Sequence, residues 1–455
     1  LVVKLFWNNI FGESMNRVCV IDLPGLSREL LAHVPGQSGL GKWMGQQRVQ
    51  SLSPSWPAVT CSVQATLTTG QPPARHGIVS NGVATYRSEA DAGLVDASNF
   101  VEFRRNVSFW EQSNQFLNVP RFWQDENGTS KYKTALLFFQ HSMPGFRGTP
   151  RPAADVVLTP KPDHGPDGKL VSLCWSNPAD LVPRLFKEFG PFPLINYWGP
   201  MAGIASSQWI AKAAAAVWRS EKPALQLVYV PHLDYDLQRF GPRSAQAQKA
   251  VVDVAAAIEP LLQAVLEDGG KILVLSEYAI EAVDRSIAPN AILRDAGLLT
   301  TVRTPEGELI DYRGSKAFAM VDHQIAHLYA SDPSAADLLR DAGLAILDSS
   351  VLANPRAGDF LVEAPARTWL DYRWWKAPAE APSFATTVDI HRKPGYDPME
   401  LFLQPGTRSI TQDAGLVRGS HGRAVPGQSV LIGHANGGST ALEMREVSSI
   451  VESML

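Results

Sequence analysis

Apolar positions gather along this chain in short runs rich in β-branched residues, and each run ends abruptly in polar or turn-forming residues. Residues 17–23 (RVCVIDL), 133–140 (KTALLFFQ), 224–230 (ALQLVYV) and 271–275 (KILVL) are of this kind, as is SVLIG at 429–433. Runs without alternation suit strands buried on both faces, as in a parallel sheet. Between them the apolar spacing changes to a helical period: 204–220 reads as an amphipathic helix and 244–267 as one long helix. This alternation predicts a layered α/β/α fold with a mostly parallel central sheet. From about 289 to 393 the pattern differs. Strand-like runs (LLTTVRT, AFAMVDHQIAHLYA, FLVEA) mix with helices, and aromatics cluster in TWLDYRWWKAP. That stretch is predicted to be a smaller α+β insertion, with 15–288 and 394–455 forming the core. Residues 1–14 precede Met15 and lack the apolar centre and cleavage site of a signal peptide, so they are read as a non-native or upstream leader.

Residues 57–77 (PAVTCSVQATLTTGQPPARHG) carry the sharpest local signal. A proline opens the stretch, a helical run follows, and Gly70 with Pro72 and Pro73 closes it. Thr60 therefore falls at a helix N-terminus, where free N–H groups and the helix dipole favour an anion. It is either an ordinary N-cap or a hydroxyl placed to accept a phosphoryl group. Asp22 ends the first strand, where open α/β sheets place their ligands, and is either a site carboxylate or a cap for the following helix. Asp234 and Glu277 lie just after later strands, and His421 lies in a late glycine-rich loop, GSHG. Carboxylates and imidazole brought to one sheet edge are what a divalent metal site needs. Residues 82–130, aperiodic and rich in Asn and aromatics, read as a loop-rich flap.

Composition narrows the partners. Over 455 residues, 45% hydrophobic and 19% charged content is that of a globular protein with a large core. A net charge of −4 without a basic block gives no case for a nucleic-acid polymer. Cys19, Cys61 and Cys174 are the three cysteines and form no CxxC or zinc-finger spacing. No apolar run is long enough to span a bilayer, so the expected partner is a small molecule and the expected compartment cytoplasmic.

The order Asp after strand one, T-x8-TG, D-x6-GP, S-[DE]-x-x and GSHG resembles the nucleotide pyrophosphatase/phosphodiesterase branch of the alkaline phosphatase superfamily. PPARHGIVSNG and PNAILRDAGLL are also similar to that family. The resemblance covers most of the chain from Met15 onward. It implies an alkaline phosphatase-like fold and a phosphodiesterase or nucleotide pyrophosphatase in which a threonine nucleophile bridges two zinc ions. Thr60 then matches the nucleophile. Asp22, Asp234 and His421 match metal ligands, with Glu277 in the third acid's place. Asn81 matches an asparagine that helps hold the transition-state oxygen. The implied substrate is a small phosphorylated or nucleotide-like molecule.

The departures bear on the same positions. The histidine expected four residues after Asp234 is Gln238. The family's S-D-H-G is Ser276-Glu277-Tyr278-Ala279, and an asparagine often found after the nucleophile is Val63. Oxygen-rich ligands shift preference from zinc towards Mn²⁺ or Mg²⁺. His232, His323, His327 and His391 are candidate replacement ligands, His323 and His327 sharing a face if their run is a single strand. Arg392 and Lys393 are candidate phosphate contacts. Arg75 and His76 follow the nucleophile helix, and Trp110, Trp123, Trp374 or Trp375 could stack on a ring. Two alternatives stay open: a degenerate phosphate-binding member of the fold, and a phosphomonoesterase, phosphonate hydrolase or mutase on the same scaffold.

Overall fold

Val18–Asp22 (VCVID) is buried at every position, as a strand flanked on both edges must be. It is strand β1 of a computed structural model that describes residues 16–94, 106–145, 152–164, 170–434 and 441–455. The sequence expectation for residues 1–14 therefore lies outside the described residues. Eight strands join β1: β2 (Val49–Ser53), β3 (Thr134–Leu137), β4 (Val156–His164), β5 (Leu170–Asn177), β6 (Leu225–Tyr229), β7 (Lys271–Leu275), β8 (Ser429–Ile432) and β9 (Ala441–Glu443). Across the sheet the order is β9-β2-β8-β7-β1-β6-β3-β4-β5. The run from β7 to β4 is parallel throughout, while β8 and β5 pair antiparallel with their neighbours. The mostly parallel sheet read from the apolar runs is what the chain forms.

Five helices matter for the site: α1 (Thr60–Thr69), α2 (Ile204–Glu221), α3 (His232–Phe240), α4 (Ala245–Ala257) and α5 (Glu259–Glu267). Helices α2, α4 and α5 pack on one another, whereas α1 packs with the C-terminal helix Val447–Met454. The single helix expected over 244–267 is two helices. The break falls at Ile258, because Pro260 in the first turn of α5 has no N–H to continue the α4 ladder.

The stretch 289–393 carries a separate four-stranded antiparallel sheet, in the order Ala317–Asp322, Ile325–Ala330, Phe360–Glu363, Ala345–Asp348. It has its own apolar cluster, including Phe318, Met320, Leu328, Leu339 and Val362. Here AFAMVDHQIAHLYA is a tight hairpin rather than one strand. His323 and Gln324 make its turn, with His323 left-handed at φ 60°, so His323 and His327 do not share a strand face. Among the described residues, no helix is long and apolar enough to cross a membrane.

In register, Asp22 stands level with Tyr229 on β6 and Leu275 on β7. The carboxyl ends of three adjacent parallel strands therefore deliver Asp22, Asp234 and Glu277 to one edge of the sheet.

Candidate active site

Helix α1 begins where Val59 is still extended, and it ends at Gly70, left-handed at φ 66°, a conformation glycine adopts without a Cβ clash. Thr60 is its first residue and is 4% exposed. The approach to Thr60 is pinned to the GSHG loop, since Ala58 N–H donates to the Gly422 carbonyl at 2.8 Å. The Ala58 carbonyl lies 2.7 Å from His421 Nδ1. A carbonyl only accepts, so Nδ1 carries the proton and Nε2 keeps its lone pair. That Nε2 lies 3.8 Å from Asp234 Oδ1. The first glycine of the loop is required by close approach: a methyl on Gly419 would stand 2.2 Å from the Leu237 carbonyl oxygen of α3.

Asp234 and Gln238 sit one helical turn apart on α3 and so share a face. Gln238 Nε2 donates to Asp234 Oδ2 at 2.7 Å, and Tyr396 O–H donates to Gln238 Oε1 at 2.7 Å. Tyr278 completes the chain, its phenol 3.4 Å from Asp234 Oδ1 and 3.0 Å from Thr60 Oγ1. Its ring stacks on His421 at 3.7 Å between centroids. Burial first, then the charges of Asp234 and Glu277, push the Tyr278 phenol well up. Asp234 is pushed up to about 6 by burial, against the pull of His323, Gln238 and Tyr278. His232 is not brought to this group. Two positions from Asp234 on a helix point nearly opposite ways, and the charges around His232 belong to Asp236, Asp253, Lys249 and Arg239.

Asp22 and Glu277 form a second group of different character. Both are fully buried, and none of their four carboxylate oxygens makes a hydrogen bond of normal geometry, although the two carboxyls lie against each other and the Gln64 amide lies near Glu277. Burial, eased by a hydrogen bond shared with Glu277, pushes Asp22 up to about 7. Burial and the neighbouring Asp22 push Glu277 well up. A raised carboxyl means the folded state holds protons that the unfolded chain has released, so stability falls as pH rises through that range. Buried His76, His141, His327 and His421 are all pushed down and oppose this until the unfolded imidazoles have lost their protons, an opposition that fades between about pH 6.5 and 7.5. In EDTA the melting temperature is therefore expected to fall between about pH 7 and 8, and Asp22→Asn to flatten that slope. A wild-type profile that is level or rising there would contradict the assignment.

The donor set does not fit the pair of zinc ions that the sequence suggests. Among the described residues, no group of three or more His, Cys, Asp or Glu side chains is placed to hold a metal ion. Zinc sites in proteins take at least three strong ligands. Here the two imidazoles expected as ligands are Gln238 and Tyr278, and both are spent on Asp234.

The remaining candidates divide clearly. Asn81 is buried and fully engaged: its Oδ1 accepts from Cys61 N–H at 2.8 Å, and its Nδ2 donates to Asp322 Oδ1 at 3.0 Å. Asp322 also lies 2.7 Å from His323 Nδ1. The His323 ring stacks on Tyr396 at 3.4 Å and tilts against His421 at 3.8 Å, so it does reach the site. His391 lines the same cavity. Arg392 is held outside by Asp389 and Glu306, and Lys393 is buried between Asp397 and Glu400. His327 bridges two backbone groups, Val79 O and Gly358 N, while His76 binds Thr66 Oγ1 and Ile78 N. Trp123, Trp374 and Trp375 are packing residues, leaving Trp110 of that set in the cavity wall.

Thr60 opens into a cavity of about 260 Å³ whose wall includes Trp110, Tyr197, Trp198, Tyr229, Tyr235 and Tyr396. Its polar lining includes Asp234, Tyr278, His323 and His421. Lys161 is the only lysine or arginine in that wall among the described residues. Trp198 is fixed by its indole N–H donating to Glu400 Oε2 at 2.5 Å. Sequence reasoning missed Trp198, Tyr235 and Tyr396. The one available signal was PGYDP, a polar turn holding an aromatic, close to His391.

A family model described as type I phosphodiesterase / nucleotide pyrophosphatase matches residues 18–397. No curated protein matches the chain by sequence. In fold the chain is similar to phosphonoacetate hydrolase from Sinorhizobium meliloti bound to phosphonoacetate, with a TM-score of 0.57, 14% identity and 97% of each chain covered. It is also similar to murine ectonucleotide pyrophosphatase/phosphodiesterase 5, with a TM-score of 0.54 and 13% identity over 96% of this chain and 94% of that one. An inactive form of the murine protein is in complex with AMP.

Proposed function

The chain belongs to the type I phosphodiesterase / nucleotide pyrophosphatase family, a family of phosphoester hydrolases with an alkaline phosphatase-like fold, and we propose that it cleaves a small phosphodiester or pyrophosphate with Thr60 as nucleophile. The observation that carries this reading is the position of Thr60. It is the first residue of a buried helix and lines the largely aromatic cavity, with its hydroxyl 3.0 Å from a phenol that reaches a carboxylate. Thr60 Oγ1 attacks phosphorus, the bond to the leaving oxygen breaks, and a threonine ester forms that still carries the substrate's other group on phosphorus; water then hydrolyses it and releases the phosphomonoester. The threonine proton leaves through Tyr278 towards Asp234, whose raised pKa of about 6 makes it a better base than an ordinary aspartate. The α1 N-terminus meets charge developing on the phosphoryl oxygens.

A diester is favoured over a monoester on charge. The wall supplies aromatic surface, Glu111 and Asp234, but Lys161 alone of lysine and arginine among the described residues, which is poor provision for a dianion. Turnover of bis(p-nitrophenyl) phosphate is expected to exceed that of p-nitrophenyl phosphate, read as nitrophenolate release. The reverse order would move the assignment to a monoesterase. One observation favours a second reading, a non-catalytic phosphate-binding protein: Tyr278 and Gln238 stand where the resemblance expects metal-binding imidazoles. Hydrolysis of neither ester nor of a nucleotide pyrophosphate, with Mn²⁺ or Mg²⁺ supplied, together with retained binding of inorganic phosphate, would establish that second reading.

A further inference from the structure

The two halves of the polar site are not in the same state. Around Asp234 the protein satisfies itself: Gln238 donates to one carboxylate oxygen, the Tyr278 phenol reaches the other, and Tyr396 in turn fixes Gln238. Around Asp22 and Glu277 nothing of the sort holds. Four carboxylate oxygens are buried together, at 0% exposure for both residues, and none makes a hydrogen bond of normal geometry, although the Gln64 amide lies near Glu277 and the Glu277 N–H near Asp22. Their adjacency follows from the sheet, since Asp22 stands level with Leu275 and Glu277 lies just beyond it on the neighbouring strand.

Uncompensated buried carboxylates are among the least tolerable groups in a protein interior, and a positive charge must meet them. A single shared proton serves two oxygens and leaves the others orphaned. A hard divalent cation serves oxygens from both carboxylates at once and completes its shell with neutral oxygens and water. We propose that this chain holds one divalent cation rather than two, carried by Asp22 and Glu277, with the phenol of Tyr278 closing the position beside Thr60 and Asp234 to a second ion. The all-oxygen donor set selects Mg²⁺ or Mn²⁺ over zinc. The longer side chain of Glu277, where the resemblance expects aspartate, suits a carboxylate that has lost its imidazole partner and must cover more of the ion.

Metal content tests this whether or not hydrolysis is observed, so its failure is distinct from failure of the catalytic reading. Protein stripped with EDTA, dialysed against Mn²⁺ and desalted is expected to retain about one equivalent by plasma mass spectrometry. Glu277→Gln and, separately, Asp22→Asn should each reduce this to near zero while far-UV circular dichroism stays unchanged. Replacing both Tyr278→His and Gln238→His should open the second position and raise zinc uptake to about two equivalents. Two equivalents in the wild type, none in the wild type, or one that survives both carboxylate replacements would each overturn the proposal. A His/His variant that folds yet stays at one would remove Tyr278 from its assigned place.

Discussion

Thr60→Ala is expected to lower phosphodiester turnover by about 10³-fold or more while leaving the fold intact. Alanine is the best helix former, and the hydroxyl lost is one partner of a single hydrogen bond to Tyr278, so the stability change should stay near 1 kcal/mol. Thr60→Ser keeps the oxygen and should keep a measurable part of the rate. The pair separates nucleophilic attack from mere packing, because a structural threonine would lose comparably in both. Acid quenching during turnover adds a direct readout. The mass increment of a phosphoryl group still bearing the substrate's retained ester, nitrophenyl phosphoryl for bis(p-nitrophenyl) phosphate, should map to the peptide holding Thr60 in the wild type and be absent in Thr60→Ala. Full activity in Thr60→Ala would end the assignment, whatever the cavity looks like.

The parts of this site that could be read from sequence are those set by local chemistry. β1, β6 and β7 are apolar at nearly every position, so their ends, and with them Asp22, Asp234 and Glu277, were legible as one edge of a parallel sheet. The proline, the helical run and the closing glycine around Thr60 were legible for the same reason. What escaped depends on contacts between distant segments. Asp322 gave no signal, since VDHQ inside an apolar run looks like strand interior, yet it bonds Ser80 from 242 positions away. Tyr396 and Trp198 escaped because an aromatic facing a cavity has the same sequence signature as one facing a core. His232 misled in the opposite direction. Beside Asp234 in sequence, it is turned away because the segment is helix from its first residue and not an irregular strand end.

Asp322→Ala should be the most destabilising single change away from the main core, by roughly 3–5 kcal/mol, because it deletes the acceptor at the centre of a buried network. Ser80 Oγ at 2.6 Å, Asn81 N at 2.8 Å, Asn81 Nδ2 at 3.0 Å and His323 Nδ1 at 2.7 Å all converge on this one carboxylate. Burial alone would push Asp322 up. The hydrogen bond and charge of His323, with Ser80 and the Asn81 amide, outweigh it and hold the carboxyl below the usual range. For a carboxyl held down in the folded state, the sign is the familiar one for acid unfolding. Its stabilisation is complete above the unfolded value near 4 and disappears as pH falls through the lower folded value. Ser80→Ala, which removes one donor and leaves the carboxylate three others, should cost only about 1 kcal/mol. Asp322→Asn is not a conservative repair, since its amide nitrogen replaces an oxygen that accepts from two of the four donors. The urea midpoint at neutral pH ranks the variants. Asp322→Ala and Asp322→Asn are expected well below Ser80→Ala, with turnover falling alongside. The same carboxylate orients Asn81, and Asn81 holds the Cys61 N–H beside Thr60. A wild-type midpoint in Asp322→Ala would mean that the His323 hairpin is held against the sheet by packing alone, and that the link from Asp322 to the nucleophile carries no energy.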